Sequence, residues 1–243
     1  MKSVILCAGE GTRASAHTNG ANKCLTEIQN HGVLIDYSLK TAIELTGVAI
    51  VLVGHRAEAV REYIDAFVTK YYPQAQLYYA EQRERRGICD GLLCIEPLLS
   101  GDDFLMFLGD EIITQPSHKK MTELFSHSGA LAVCGYVRAK NIGDVRKTYS
   151  LQLTDGKVSD ITEKPSNPVN NLMGTGNCVF RNTFLDHIRG YCKKTSSYKP
   201  YFSFPDVLKY AVDSGETVLA CEIGKAYLNF NYMDDIASFL QGE

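Results

Sequence analysis

The chain lacks most of the features that sort a protein at a glance. No apolar run reaches the length of a bilayer span, so no membrane-crossing helix is expected. Basic residues (25 Lys+Arg) do not outnumber acidic ones (28 Asp+Glu), and the net charge of −3 gives no general attraction to nucleic acid or an anionic membrane. Eight cysteines are present but no CxxC pair, which speaks against both a zinc site and a disulfide framework. Cys7, Cys94, Cys134, Cys178 and Cys221 sit inside apolar runs and are expected to be buried free thiols in a reducing cytoplasm. Internal repeats and low-complexity linkers are missing too. Met1-Lys2-Ser3 runs straight into an apolar segment, so no cleaved leader is expected.

What is there suffices for a core. With 243 residues and 45% hydrophobic content, the chain suits a single domain over residues 1–243. Val48–Val53 and Phe104–Leu108 are continuous apolar runs suited to buried parallel strands, and Leu77–Ala80 is a shorter one. Leu25–Ile28 reads as a brief strand; Leu34–Leu45, Ala57–Phe67 and Ile88–Leu99 read as helices between them. This alternation predicts a doubly wound, mostly parallel α/β fold of Rossmann-like type, with ligands beyond the carboxyl ends of the strands. From Leu131 the pattern turns antiparallel, with strands at Leu131–Val137, Tyr149–Thr154, Lys157–Ile161 and Gly174–Phe180 and a hairpin signal at Asp155-Gly156. Helices at 182–192 and 204–214 and a strand at 217–222 follow. The expected division is a nucleotide-binding half over 1–130 and an acceptor-binding half over 131–243, the second adding a small antiparallel annex.

Two further absences narrow the chemistry: neither the Walker pattern GxxxxGK[ST] nor the dinucleotide pattern GxGxxG occurs. Instead Val4-Ile5-Leu6-Cys7-Ala8 empties into Gly9-Glu10-Gly11-Thr12-Arg13. Gly9 and Gly11 let the backbone turn and a ligand approach closely, so the loop N–H groups can form a nest for phosphate oxygens. Arg13 adds a planar fork of donors and Lys23 a second cation. A glycine-rich turn with scattered surface charge would explain the glycines alone. The strand before them and the cations after them favour a nucleoside triphosphate. Asp110, directly after a buried strand, is placed to hold Mg²⁺ against that triphosphate, with Glu111 as a candidate helper; an ordinary turn aspartate is the plainer alternative. In Glu163-Lys164-Pro165 the lysine suits a phosphate monoester, or the segment merely ends a hairpin.

Taken together these residues resemble the GxGTR…K signature of the sugar-nucleotidyltransferases, the family of the glucose-1-phosphate thymidylyl- and uridylyltransferases. The likeness extends from Val4 to about Leu240. It implies that the loop from Leu6 and Ala8 through Gly9, Gly11 and Thr12 wraps the triphosphate while Arg13 and Lys23 hold its phosphates. It further implies that Asp110, in Leu-Gly-Asp, binds the catalytic Mg²⁺. Lys164 would hold the sugar 1-phosphate and Glu163 the sugar hydroxyls, with Gly174 and Gly176 below the sugar and Tyr149 beside it. Gln82 and the Gly87 backbone would read the edge of uracil or thymine. In the closing motif Asn229, or Asn231 in an alternative alignment, would complete the metal shell with an amide in place of a carboxylate, while Asp234-Asp235 reads as a helix cap. Three departures stand out: Ala14-Ser15-Ala16 replaces Leu-x-Pro, Asn22 replaces a proline before the lysine, and Ser150 replaces a glycine that faces the sugar in relatives. A looser phosphate loop is expected from the first two.

The expected function is transfer of a nucleotidyl group from UTP or dTTP to a sugar 1-phosphate, in a soluble, cytoplasmic, Mg²⁺-dependent enzyme. Its partners are a nucleoside triphosphate and a phosphorylated small-molecule acceptor; no nucleic acid and no membrane are expected, and a homo-oligomer is left open. Two rivals also remain open: a cytidylyltransferase acting on a non-sugar phosphate or phosphonate, and a weakly active nucleotide-binding regulator.

Overall fold

The computed structural model describes residues 1–9, 20–28, 31–84, 86–195 and 203–230. Its axis is β1 (Lys2–Leu6), whose alternating side chains enter two separate cores: Val4 and Leu6 on one face, Ile5 and then Cys7 on the other. Parallel strands β4 (Val48–Val53) and β6 (Phe104–Leu108) flank it, with Val4 opposite Ile50 and Met106. β5 (Gln76–Glu81) extends the sheet beyond β4. Helix α1 (Leu34–Thr46) links β1 to β4 by way of two short strands, β2 (Glu27–Ile28) and β3 (Gly32–Val33). It stops at Gly47, whose φ of 70° turns its N–H back to the Ile43 carbonyl. α1 and α2 (Ala57–Tyr71) bury Ile35, Leu39, Val60 and Ile64 against one face; α3 (Ile88–Leu99) buries Leu92 and Ile95 against the other.

The second half of the chain continues the same sheet. β11 (Leu172–Phe180) lies antiparallel between β6 and β8 (Ala132–Arg138), followed by β12 (Val218–Glu222), β10 (Lys157–Glu163) and β9 (Tyr149–Thr154), nine strands in all. Asp155 and Gly156 join β9 to β10, both at positive φ (50° and 77°), as the hairpin signal requires. Phe180 stacks on Phe184 at 4.3 Å, which docks α5 (Phe184–Lys194) beside α6 (Phe204–Asp213) on the α3 face.

The doubly wound α/β architecture is therefore as expected. Val48–Val53, Ile88–Leu99, Phe104–Leu108 and Tyr149–Thr154 also have the expected bounds. Differences are local. Leu25 belongs to a 3-10 turn (Lys23–Leu25) and the strand begins at Glu27. Elements not expected from the sequence are β3, β7 (Glu111–Thr114) and its partner β13 (Ala226–Asn229), α4 (His118–His127) and the 3-10 turn Ile142–Lys147. All eight cysteines are free, but Cys94 is exposed and Cys192 and Cys221 are half-buried. Helical periodicity causes the first exception: Leu92 and Ile95 face the core, so Cys94 between them turns outward. Among the described residues no helix is long and apolar enough to cross a membrane.

Candidate active site

The carboxyl ends of β1 and β6 open on a cavity of about 820 Å³. Leu6, Ala8, Gly9, Lys23, Gln82, Gly87, Asp110, Tyr149, Glu163, Lys164, Gly174, Gly176 and Asn229 all line it. The residues singled out above thus converge on one place, wherever the structure describes them. Gly11, Thr12, Arg13, Asn231 and the Asp234-Asp235 pair lie outside the described residues. A second cavity of about 1110 Å³ shares Glu111, Lys147, Tyr227 and Asn229 with the first, but not Gly9, Lys23, Gln82, Asp110 or Lys164. The smaller cavity is the candidate site because the phosphate-binding residue types meet there.

On one wall Lys23 and Asp110 form an ion pair, and Lys23 Nζ also donates to the Phe230 carbonyl (3.3 Å). Burial works against the ammonium, and the Asp110 carboxylate outweighs it, so Lys23 titrates above the ordinary lysine value. Asn22 anchors this corner. Its Nδ2 donates to the carbonyls of Cys7 and His55 (2.8 Å each), and its Oδ1 accepts from the Cys24 N–H at 2.9 Å. The asparagine that replaces a proline therefore fixes the Lys23 end of the loop by hydrogen bonds. Gln82 follows β5, is 5% exposed, and donates from Nε2 to the Gly87 carbonyl at 3.0 Å and to Asp90 Oδ2 at 2.8 Å.

Asn229 reaches Asp110 through backbone pairing: β13 sets Asn229 opposite Glu111, and the next residue, Phe230, donates its N–H to the Asp110 carbonyl at 3.1 Å. Glu111, the candidate helper, spends its carboxylate on partners within the chain. Both its oxygens are engaged, by the Gly176 N–H (3.1 and 2.9 Å), Asn177 Nδ2 (2.8 Å), the Tyr227 hydroxyl (2.5 Å) and Asn229 Nδ2 (3.4 Å). Burial pushes Glu111 up to about 8, while the bonds from Tyr227, Gly176 and Asn177 favour its charged form. No local pattern marks this hub in the sequence, since its partners lie 65 to 118 positions away.

The opposite wall is built by close packing. A Cβ at Gly174 would fall into the Tyr149 ring, and one at Gly176 would strike Leu108. Tyr149 is 4% exposed and its hydroxyl donates to the Thr175 carbonyl at 2.9 Å. Ser150 is buried and does not line the cavity, so the departure from glycine places no hydroxyl in it. Lys164 sits at φ 43° just past β10, its Nζ 3.7 Å from Glu163 Oε1. Among the described residues no group of three or more His, Cys, Asp or Glu is arranged to hold a metal. The donors present are one carboxylate, Asp110, and the carboxamide of Asn229. Both are hard oxygen ligands that suit Mg²⁺ once phosphate oxygens complete the shell.

A family model described as nucleotidyl transferase matches residues 2–229. The UTP–glucose-1-phosphate uridylyltransferase of Haloferax volcanii is 25% identical, over 97% of this chain and 93% of its own. The glucose-1-phosphate thymidylyltransferase of Streptomyces griseus is also 25% identical, over 90% of this chain, which spans only 59% of that relative's length. Among solved structures, UDP-glucose pyrophosphorylase complexed with UDP-glucose superposes with a TM-score of 0.79 at 17% sequence identity, covering 100% of this chain and 99% of its own. That likeness is one of fold.

Proposed function

The chain belongs to the nucleotidyl transferase family, and from that premise we propose that it transfers the nucleotidyl group of UTP or dTTP to a sugar 1-phosphate, releasing pyrophosphate. The relatives named for uridylyl and thymidylyl transfer to glucose 1-phosphate support this substrate class. The observation that carries it is the convergence, in one cavity, of Gly9, Lys23 and Asp110 on one side and Lys164, Gly174 and Gly176 on the other. This arrangement fits two phosphorylated ligands that meet between the walls.

A phosphate oxygen of the acceptor attacks the α-phosphorus; the new O–P bond forms as the α–β P–O bond breaks and pyrophosphate leaves in line. A phosphate monoester is largely dianionic near neutral pH, so the attack needs no general base and no covalent residue. The residues of the chain act by holding charge in place. Lys164 fixes the attacking phosphate. Lys23, committed here to Asp110, turns its charge to the triphosphate, and Arg13, by the sequence pattern, assists the departing pyrophosphate. Asp110 and Asn229 would hold Mg²⁺, which when bound supplies Lewis-acid neutralisation of phosphate charge. A pyrophosphate-release screen of UTP, dTTP, CTP, ATP and GTP against sugar 1-phosphates, phosphocholine and a phosphonate tests the reading. Turnover with UTP or dTTP and a sugar 1-phosphate is expected. Turnover confined to CTP and a non-sugar acceptor would replace it with the cytidylyltransferase alternative.

A further inference from the structure

We propose that Asp90 sets the base specificity of the cavity by locking the Gln82 carboxamide in one orientation. The inference rests on reading the cavity as a nucleotide site. A glutamine is by itself a poor discriminator, because a half-turn of its amide exchanges donor for acceptor. In this chain the half-turn is blocked. Gln82 Nε2 donates at once to the Gly87 carbonyl (3.0 Å) and to Asp90 Oδ2 (2.8 Å). A carbonyl and an ionised carboxylate only accept. Turning the amide over would set its oxygen against two others, in a side chain that is 5% exposed.

Asp90 is itself held. It stands in the first turn of α3, where a negative charge is favoured, and Arg86 Nη2 lies 3.2 Å from its other oxygen, Oδ1. Its two oxygens are thus divided between Arg86 and Gln82. With Nε2 committed, and with no bonded donor for Oε1 among the described residues, the amide oxygen is the group that Gln82 offers to a base in the cavity. It accepts from the N3–H of uracil or thymine. Cytosine brings a lone pair at N3, so oxygen meets nitrogen with no proton between them. Asp90 does not line the cavity. It is a positioning residue that acts through Gln82, and its carboxylate supplies the repulsive half of the discrimination. A plain Arg86–Asp90 surface pair would have no such consequence.

The test is equilibrium titration of UTP, dTTP and CTP against the full chain and its Asp90→Asn, Asp90→Ala and Asp90→Glu variants, with pyrophosphate release measured in parallel. The unaltered protein is expected to favour UTP and dTTP over CTP by about tenfold or more. Asp90→Asn, nearly isosteric and able to present a donor, and Asp90→Ala remove one of the two acceptors and should lower that ratio severalfold, chiefly by a gain in CTP affinity. Asp90→Glu keeps an acceptor-only partner and should keep the preference. The KM for the acceptor should not move. An unchanged ratio in both Asp90→Asn and Asp90→Ala overturns the lock, as does a CTP preference in the unaltered protein. If the ratio falls as expected while no acceptor yields pyrophosphate, the lock stands and the transfer reading fails.

Discussion

The two walls of the cavity keep their shapes by different means. The wall proposed for the nucleotide is held by polar contacts of side chains: Lys23 with Asp110, Gln82 with Asp90, Asn22 with the backbone carbonyls of Cys7 and His55. The wall proposed for the acceptor is held by backbone and ring in close approach, with Gly174 under Tyr149 and Gly176 between Leu108 and the Glu111 carboxylate. A charged ligand can draw a salt bridge apart and take over one of its partners, whereas a packed ring has nowhere to go. Substitutions in the first wall should therefore alter chemistry with the fold intact. In the second they should alter the fold first.

The largest expected effect is at Asp110. Asp110→Ala should cut turnover by about a thousandfold or more with an unchanged far-UV spectrum, because it removes the carboxylate assigned to the metal from a wall that does not depend on packing. Turnover near wild type at saturating Mg²⁺ would dissolve the contrast. Gly174→Ala probes the other wall. The added methyl overpacks the Tyr149 ring and should cost about 1–3 kcal/mol of stability in urea unfolding, with acceptor KM rising as Tyr149 shifts. Wild-type stability would mean that the wall is softer than its geometry implies. Gln82→Leu should be milder, erasing about a tenfold preference for UTP over CTP without unfolding; a preference that survives would move base reading elsewhere.

The smallest effect concerns a titratable support behind the acceptor wall. Asn177 donates to Glu111, so its Oδ1 must accept, and His118 Nε2 at 2.9 Å carries the proton. Among the described residues His118 Nδ1 is buried without a hydrogen-bond partner, and burial lowers the His118 pKa below the ordinary value of 6.5. The unfolded chain then takes up a proton that the native one refuses. Stability is complete above about pH 6.5 and is lost as pH falls toward the lowered native value, by at most about 1.4 kcal/mol per pH unit from this group. His118→Gln, which keeps a donor for Asn177, should flatten that slope. An identical pH profile in the variant would assign the slope to other groups.

The same contrast separates what the sequence made legible from what it did not. Strands β4 and β6 and helix α3 were readable because each is a continuous or helically periodic apolar run. Gly9, Lys23, Asp110 and Lys164 were readable as residue types that suit phosphate and metal, set beside strands. β7 was not, since four residues acquire their pairing from β13, more than a hundred positions later. α4 was missed because only His118, Met121 and Phe125 of its ten residues are buried. Glu111 read as a candidate helper because a one-dimensional pattern puts it next to Asp110; only tertiary pairing brings it the four donor residues that occupy it. Asp90 resembled any acidic residue in a first helical turn until its 2.8 Å contact with Gln82 was in view.

That two phosphorylated ligands occupy opposite walls is tested most directly by a crossed titration of Lys23→Ala and Lys164→Ala, each against UTP and against sugar 1-phosphate. Lys23→Ala should weaken UTP by about tenfold or more and leave the acceptor nearly unaffected, and Lys164→Ala should do the reverse, as expected when a single charged hydrogen-bond donor is removed from one ligand only. Equal losses for both ligands in both variants would contradict the two-wall assignment.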